Sequence, residues 1–224
     1  MKHPSKELVE KYAFGELDVT SRLLVEAHVD LCPECAGVVR AVQNQDSVLA
    51  SLVPEKFEKA TPLFRKIMER VATMPQPRSF ALERHAVIPE SVLAETPSPE
   101  AWSWTTMWPT KGKIATLLED PVSGYALYAA FFTAGEVAPK HEHHYPEQTV
   151  MLQGGYSYDG KDVVRGDWDE AAPDTLHEPK VHGGEDCWCL VRSKIEGAFT
   201  FRGISAWREP FVRGMRLRRK WSGQ

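Results

Sequence analysis

Two hydrophobic rhythms divide the chain. Up to about residue 73, apolar side chains return every three or four positions, the spacing that gives a helix one apolar face. Pro4 suits the first turn of a helix through KELVEKYAF, with Leu8, Tyr12, Val9 and Ala13 as its apolar side and Gly15 as its stop. Asp18 is placed to N-cap a second helix, VTSRLLVEAHVDL, whose Leu24, His28 and Leu31 share a face. A third is expected from Pro33 to about Leu52, with Val38, Val39, Val42 and Leu49 apolar. Thr61-Pro62 starts a fourth, PLFRKIMERVATM, with Leu63, Ile67, Met68 and Val71 on one side. From Trp102 onward the pattern changes to short β-branched and aromatic stretches between turn residues: AWSWTTMW, KIATLLED, YALYAAFF, QTVMLQG, GYSYDG, DCWCLVRS and AFTFRG. Many short strands at such spacing make a sandwich or barrel. Between the two lies ATMPQPRSF, with Pro75 and Pro77 and no period of either kind, which reads as a semi-rigid linker. The expected organisation is multidomain α + β: a helical bundle of about four helices over residues 1–73, a linker over 74–85, and a β-barrel over 86–224.

Composition supports the division. All seven Trp lie after residue 100, with most of the Gly and Tyr. A net charge of −4 gives no general attraction to nucleic acid. The basic tail Arg213, Arg216, Arg218, Arg219 and Lys220 therefore reads as a solvated edge. No apolar run approaches the roughly 18 residues of a membrane span, and MKHPSKELVEK lacks the apolar core of a signal peptide. A cytoplasmic protein with reduced cysteines is expected, without direct contact to nucleic acid or membrane.

Chemistry concentrates at two places. His28-x-x-x-Cys32-x-x-Cys35 packs three soft ligands into eight residues across a helix–Pro–helix junction. Cys32 sits one turn after His28 on the same face, and thiolate with imidazole suits tetrahedral Zn²⁺. A structural site needs a fourth ligand, and His3 is the candidate. The Cys pair could alone be redox-active, but the preceding His and the absence of a βαβ pattern favour metal. Structural zinc would then supply about 10–16 kcal/mol to a module whose own core supplies about 3–5 kcal/mol.

The second place is Gly135-x5-His141-x-His143-x3-Glu147-x6-Gly154. His141 and His143, two apart on a strand, point to one face, while His144 points away. Pro146 turns the chain so that Glu147 can return to the same centre. A fourth ligand is expected from a neighbouring strand, and His177 is the best candidate. Three imidazoles and a carboxylate would hold Zn²⁺, Mn²⁺ or Fe²⁺, with zinc the first expectation. His182 lies in a Gly-rich turn and carries no expected role. Cys187 and Cys189 share a strand face and read as small buried core residues rather than a redox pair.

The 135–154 spacing matches the first motif of the cupins at every fixed position. Gly166…Pro173…His177 resembles the second, but is one residue shorter than the usual P-x-G-x-x-H and lacks its Gly. His3 with His28-x-x-x-Cys32-x-x-Cys35 resembles the zinc-binding anti-sigma domain of bacterial regulators that sequester extracytoplasmic-function (group IV) sigma factors. Together the modules resemble the cupin-type zinc anti-sigma factors, the ChrR-like family, over nearly the whole chain. The resemblance implies a C-terminal jelly-roll barrel and two metal sites, one of His3, His28, Cys32 and Cys35 and one of His141, His143, Glu147 and His177. It also implies a 1:1 partnership with a group IV sigma factor, regulation of transcription, and release under oxidative stress from singlet oxygen or organic hydroperoxide. The alternative is a metal-dependent dioxygenase of the cupin type with an accessory zinc module. No nucleophile triad, phosphate loop or dinucleotide fingerprint supports other enzyme chemistry, so a non-enzymatic regulator is expected.

Overall fold

The computed structural model describes residues 1–51, 87–107 and 110–201. The expected fourth helix, the expected linker and the basic tail lie outside the described residues. Three helices open the chain: α1 Lys6–Ala13, α2 Val19–Leu31 and α3 Pro33–Ser51. Ser5 caps α1 by accepting from the Leu8 N–H, and Asp18 caps α2 by accepting from the Thr20 and Ser21 N–H groups. Pro33 begins α3 immediately after Cys32, where a missing N–H costs nothing.

Twelve strands follow. They are β1 Trp104–Thr106, β2 Lys113–Asp120, β3 Tyr125–Phe132, β4 His141–His143, β5 Glu147–Gln153, β6 Gly155–Tyr158, β7 Lys161–Val164, β8 Trp168–Ala171, β9 Leu176–His177, β10 Lys180–Val181, β11 Cys187–Lys194 and β12 Phe199–Phe201. One six-stranded sheet has the order β1-β2-β3-β11-β5-β8, and two three-stranded sheets, β10-β6-β7 and β12-β4-β9, complete the barrel. All named strand pairs are antiparallel. The seven stretches expected as strands all contain one. The short β7, β8 and β10 were not legible, because two to four residues hold too little of a period, and β4 and β9 were expected only through their His.

Alternation along the six-stranded sheet sorts its side chains into two cores. Ala130, Met151, Cys187 and Cys189 face the lumen with Tyr156, Tyr158, Val163 and Val181. Leu127, Ala129, Val150, Leu152 and Leu190 face the other way, where Leu23, Leu24, Val25 and Ala27 of α2 cover them. Ile88, Val92 and Leu93, around the helical turn Glu90–Leu93, close the same cluster.

The helical front is therefore not an isolated small module. Leu23 and Leu24 are fully buried in a core shared with the sheet, each contributing about 1.5–3 kcal/mol by removal from water. A second, smaller core of Val9, Cys32, Cys35 and Val39 lies among the helices themselves. The amphipathic period of α2 was readable, but not which surface would cover it. That surface belongs to strands a hundred residues away.

Polar contacts reinforce the join. Arg192 on β11 donates to Asp18 Oδ2 and Thr20 Oγ1, both at 3.0 Å. Arg22 pairs with Glu26 and Glu95, and Ser91 donates to Asp30 at 2.8 Å. The N-terminal segment is tied to the turn before β8: the Lys2 N–H donates to Asp167 Oδ1 at 2.8 Å, and the Trp168 N–H donates to the Lys2 carbonyl at 3.0 Å.

Candidate metal centres

The front centre sits where three elements meet. His3 comes from the N-terminal segment held by β8, His28 from the last turn of α2, Cys32 from its C-cap and Cys35 from the first turn of α3. One ligand atom from each of the four lies within 4.8 Å of those of the others. His3 Nδ1 is 3.4 Å from Cys32 Sγ and 3.5 Å from Cys35 Sγ. Metal–sulfur bonds of about 2.3 Å and metal–nitrogen bonds of about 2.0–2.1 Å at tetrahedral angles give an S···N edge of about 3.5 Å. Both ring nitrogens of His28 are buried without a hydrogen-bond partner, and a cation bound to one of them would remove that nitrogen's cost of about 1–3 kcal/mol. These donors fit zinc.

The protein environment prepares them for a cation. Burial, with the neighbouring His3 imidazole, depresses His28 to about 4 against weaker opposing effects of the Gly166 carbonyl and Asp167. The imidazole is thus neutral and able to ligate at ordinary pH. Burial and the adjacent Cys32 push the Cys35 thiol up, so without a cation that thiol would be protonated. Trp168 of β8 stacks edge-on against His28 at 6.2 Å, putting the barrel wall directly behind this centre.

The second centre lies at the barrel mouth. His141 and His177 are Cα partners across β4 and β9, so their side chains emerge on one face, and His143 follows two residues along β4. Nε2 of His177 is 2.9 Å from Nε2 of His143 and 3.0 Å from Nε2 of His141. The Pro139 carbonyl lies 2.6 Å from His141 Nδ1 and accepts its proton, which leaves Nε2 free as the ligand atom. The Nδ1 atoms of His143 and His177 are buried without partners. Such convergence of three imidazoles fits a divalent cation, and the donor set does not select among Zn²⁺, Mn²⁺ and Fe²⁺.

Glu147 lies beside this trio but outside it. Its carboxylate is 4.0 Å from His143 Nδ1, and the tight cluster comprises the three His alone. Burial raises the carboxyl to about 7, against the opposing influence of the Ser193 hydroxyl and with reinforcement from Asp169. A cation would favour the carboxylate again. His144 turns outward to Thr200, and His182 pairs with Asp162 at 2.8 Å, both away from the trio.

The motif glycines have backbone reasons. Gly135 and Gly154 have φ of +77° and +67°, and a Cβ on Gly154 would stand 2.5 Å from the Asp186 carbonyl oxygen. Beside the His trio opens a cavity of ≈ 120 Å³ lined mainly by apolar side chains, among them Met107, Ile114, Phe132, Val181 and Phe201. Cys189 lines it too, while Cys187 contacts Met151, so both cysteines sit in the lumen core as expected. Reasoning from spacing missed the polar group Tyr156, Tyr158 and Asp169. Both tyrosine hydroxyls donate to Asp169 Oδ2, at 2.9 and 2.8 Å, and the Tyr158 ring meets His177 edge-on at 4.6 Å. The alternation of GYSY and the lone Asp in WDEA were the only available signals.

Acid should destabilise the metal-free protein. Burial lowers His143 to about 4 and His177 to about 3, with neighbouring imidazoles adding to the effect, and His28 also stands near 4. The unfolded chain binds protons at these His from about pH 6.5 downward. The folded chain does not, so stability falls as pH drops from about 6.5 toward 4. Glu147 acts oppositely: its folded value near 7 removes stability as pH rises from about 4.5 to 7. With four His held below their usual value, His141 among them, against one Glu, the urea midpoint of chelator-stripped protein is expected to fall as pH drops from 6.5 to 4.5. A flat or rising midpoint would contradict neutral buried imidazoles.

Comparison with known proteins agrees with this geometry. Residues 5–36 match the family described as "Putative zinc-finger", and residues 95–195 match the ChrR cupin-like domain. The anti-sigma-E factor ChrR of Cereibacter sphaeroides is 26% identical over 205 residues, covering 84% of this chain and 87% of that protein. The crystal structure of Rhodobacter sphaeroides SigE in complex with the anti-sigma ChrR superposes with a TM-score of 0.64 at 22% identity, covering 86% of this chain and 98% of that one. At that identity the superposition speaks for the fold, and it extends across helices and barrel alike. The chain thus carries a zinc-finger segment in front and a ChrR cupin-like domain behind it, an order in which it is similar to the anti-sigma-E factor ChrR over most of both chains.

Proposed function

We propose that this chain is an anti-sigma factor: it sequesters a group IV sigma factor 1:1 through its helical front and releases it when the metal site of the barrel meets an oxidant such as singlet oxygen or an organic hydroperoxide. The carrying observation is that α2 belongs to both halves at once, with His28 in the front donor set and Leu23 and Leu24 in the core shared with the sheet. A change in the barrel therefore has a packed route to the helices. The names of the relative, an anti-sigma-E factor, and of the complex with SigE support the choice of partner.

In this reading His3, His28, Cys32 and Cys35 hold a structural zinc, which supplies cross-linking and no turnover. His141, His143 and His177, with Glu147 drawn in, hold the second cation, which supplies Lewis acidity or redox sensitivity. The site is regulatory rather than enzymatic. The protein acts in the cytoplasm, and among the described residues no helix is long and apolar enough to cross a membrane. Control requires that the two states of the chain differ in affinity for the sigma factor.

Co-expression with group IV sigma factors tests this directly. A 1:1 complex is expected with the full chain and with a full-length His141→Gln, His177→Gln variant, and oxidant should dissociate only the first. Turnover of a diketone by the metal-loaded protein, with no sigma factor retained, would instead make it a dioxygenase-like enzyme. A variant that released its partner normally under oxidant would remove the barrel metal site from sensing.

A further inference from the structure

We propose that residues 1–3 form a strap fastened to the barrel, so that the turn between β7 and β8 positions His3 as the fourth ligand of the front centre. The inference deepens the reading above and rests on its assignment of zinc to that centre. His28, Cys32 and Cys35 stand at the ends of α2 and α3 and are buried, whereas His3 is exposed and lies outside the helices. Its place is therefore set by what holds its neighbours in the chain.

The barrel holds them. The Lys2 N–H donates to Asp167 Oδ1 at 2.8 Å, and the Lys2 carbonyl accepts from the Trp168 N–H at 3.0 Å. Both backbone groups of the residue before His3 are thus pinned to one turn. Lys2 Nζ also donates to the Asp162 carbonyl on β7. The Met1 side chain lies over Gly166, where φ is +88° and a Cβ would stand 2.5 Å from Met1 Cε, so a larger residue would take the seat of the strap. The turn is itself fixed. Asp167 is 4% exposed, its Oδ2 accepts from the Val164 N–H at 3.1 Å, and its carbonyl accepts from the Met151 N–H on β5 at 3.1 Å. On the other side of His3, Pro4 is buried and Ser5 caps α1. Trp168, whose N–H holds Lys2, also sets its ring edge-on against His28. One turn of the barrel thereby reaches two of the four donors.

A loose ligand loses conformational freedom when it binds, and a segment already held in place loses less. Groups that orient a metal ligand without touching the metal contribute about ten- to a hundredfold in affinity. Lys2 and Asp167 are positioning residues of this kind. A displacement of the turn would withdraw His3 and loosen the clamp between α2 and α3, which gives the barrel a route to the helices in addition to the shared core.

The test loads the full chain with Co²⁺, whose charge-transfer absorption with the thiolates of Cys32 and Cys35 reports this centre, and follows the loss of that band into excess chelator. Lys2→Pro removes the N–H and the side-chain amine while leaving the turn as it is, and is expected to speed release about tenfold. Asp167→Ala is expected to do the same, whereas Asp167→Asn, whose amide oxygen still accepts, should stay within about twofold of the unaltered chain. In a His3→Ala background, Lys2→Pro is expected to change the rate by less than about twofold, because the ligand it positions is gone. Unaltered release from Lys2→Pro, or an equal acceleration in the His3→Ala background, overturns the strap. A chain whose thiolates take up no Co²⁺ overturns the metal assignment of the front centre as well. Because no sigma factor enters the measurement, either result is separate from failure to bind one, which the co-expression experiment reads alone.

Discussion

Changing Cys32 to Ser is expected to remove one zinc per chain and to abolish capture of the sigma factor, lowering affinity by at least about a hundredfold, or about 3 kcal/mol. Cys32 closes α2 and abuts the start of α3, and at 1% exposure it has no water to replace a lost metal bond. Among the described residues, α1 and α3 enclose a small core of Val9, Val39 and the two cysteines. Such a core supplies less than the about 10–16 kcal/mol that structural zinc contributes in finger peptides. The shared core changes what should remain. With Leu23, Leu24, Val25 and Ala27 still seated on the sheet, amides of α2 are expected to keep their protection from exchange while those of α1 and α3 lose it. Elemental analysis and sigma capture check the first part, and residue-level exchange checks the second. A Cys32→Ser protein that kept its zinc and its partner would refute the front site.

Leu24→Ala is expected to cost about 3 kcal/mol and to lower the melting temperature by about 10 °C. Leu24 is fully buried between α2 and the sheet, so the deletion leaves a void that neither side can close alone. All seven Trp follow residue 100, and Trp102 and Trp168 lie in this very cluster. Trp fluorescence therefore reports the barrel, whereas far-ultraviolet dichroism at the helical minimum reports the front. Both signals are expected to shift together. If only the helical signal moved, the helices and the barrel would be separate folding units and the shared core would contribute little.

The two experiments differ in what they probe. Removing a zinc ligand strikes a constraint local to thirty-odd residues, whereas Leu24→Ala strikes the contact between distant parts of the chain. The acid-lability of the metal-free protein probes a third quantity, the cost of keeping imidazoles neutral without a cation. Each outcome can fail without the others.

Sequence alone determined the parts. Periods of 3.6 and 2 are local properties, so α1, α2, α3 and the longer strands were legible, as was the N-cap at Asp18. Ligand spacing is local too, which is why His28, Cys32 and Cys35 on adjoining helix ends, and His141 and His143 on one strand, could be paired from their numbers. His177 was harder to place, because only the pairing of β4 with β9 brings it beside His141. Glu147 was expected to join the three His as a ligand and stands beside them, its carboxylate 4.0 Å from His143 Nδ1. Tertiary structure alone decided that the apolar face of α2 rests on the sheet, that Trp168 backs His28, and that Arg192 holds the cap of α2. An apolar stripe states that something must cover it and an arginine states that something must pair with it. Neither carries the address of its partner, which is set by register and packing between segments more than a hundred residues apart.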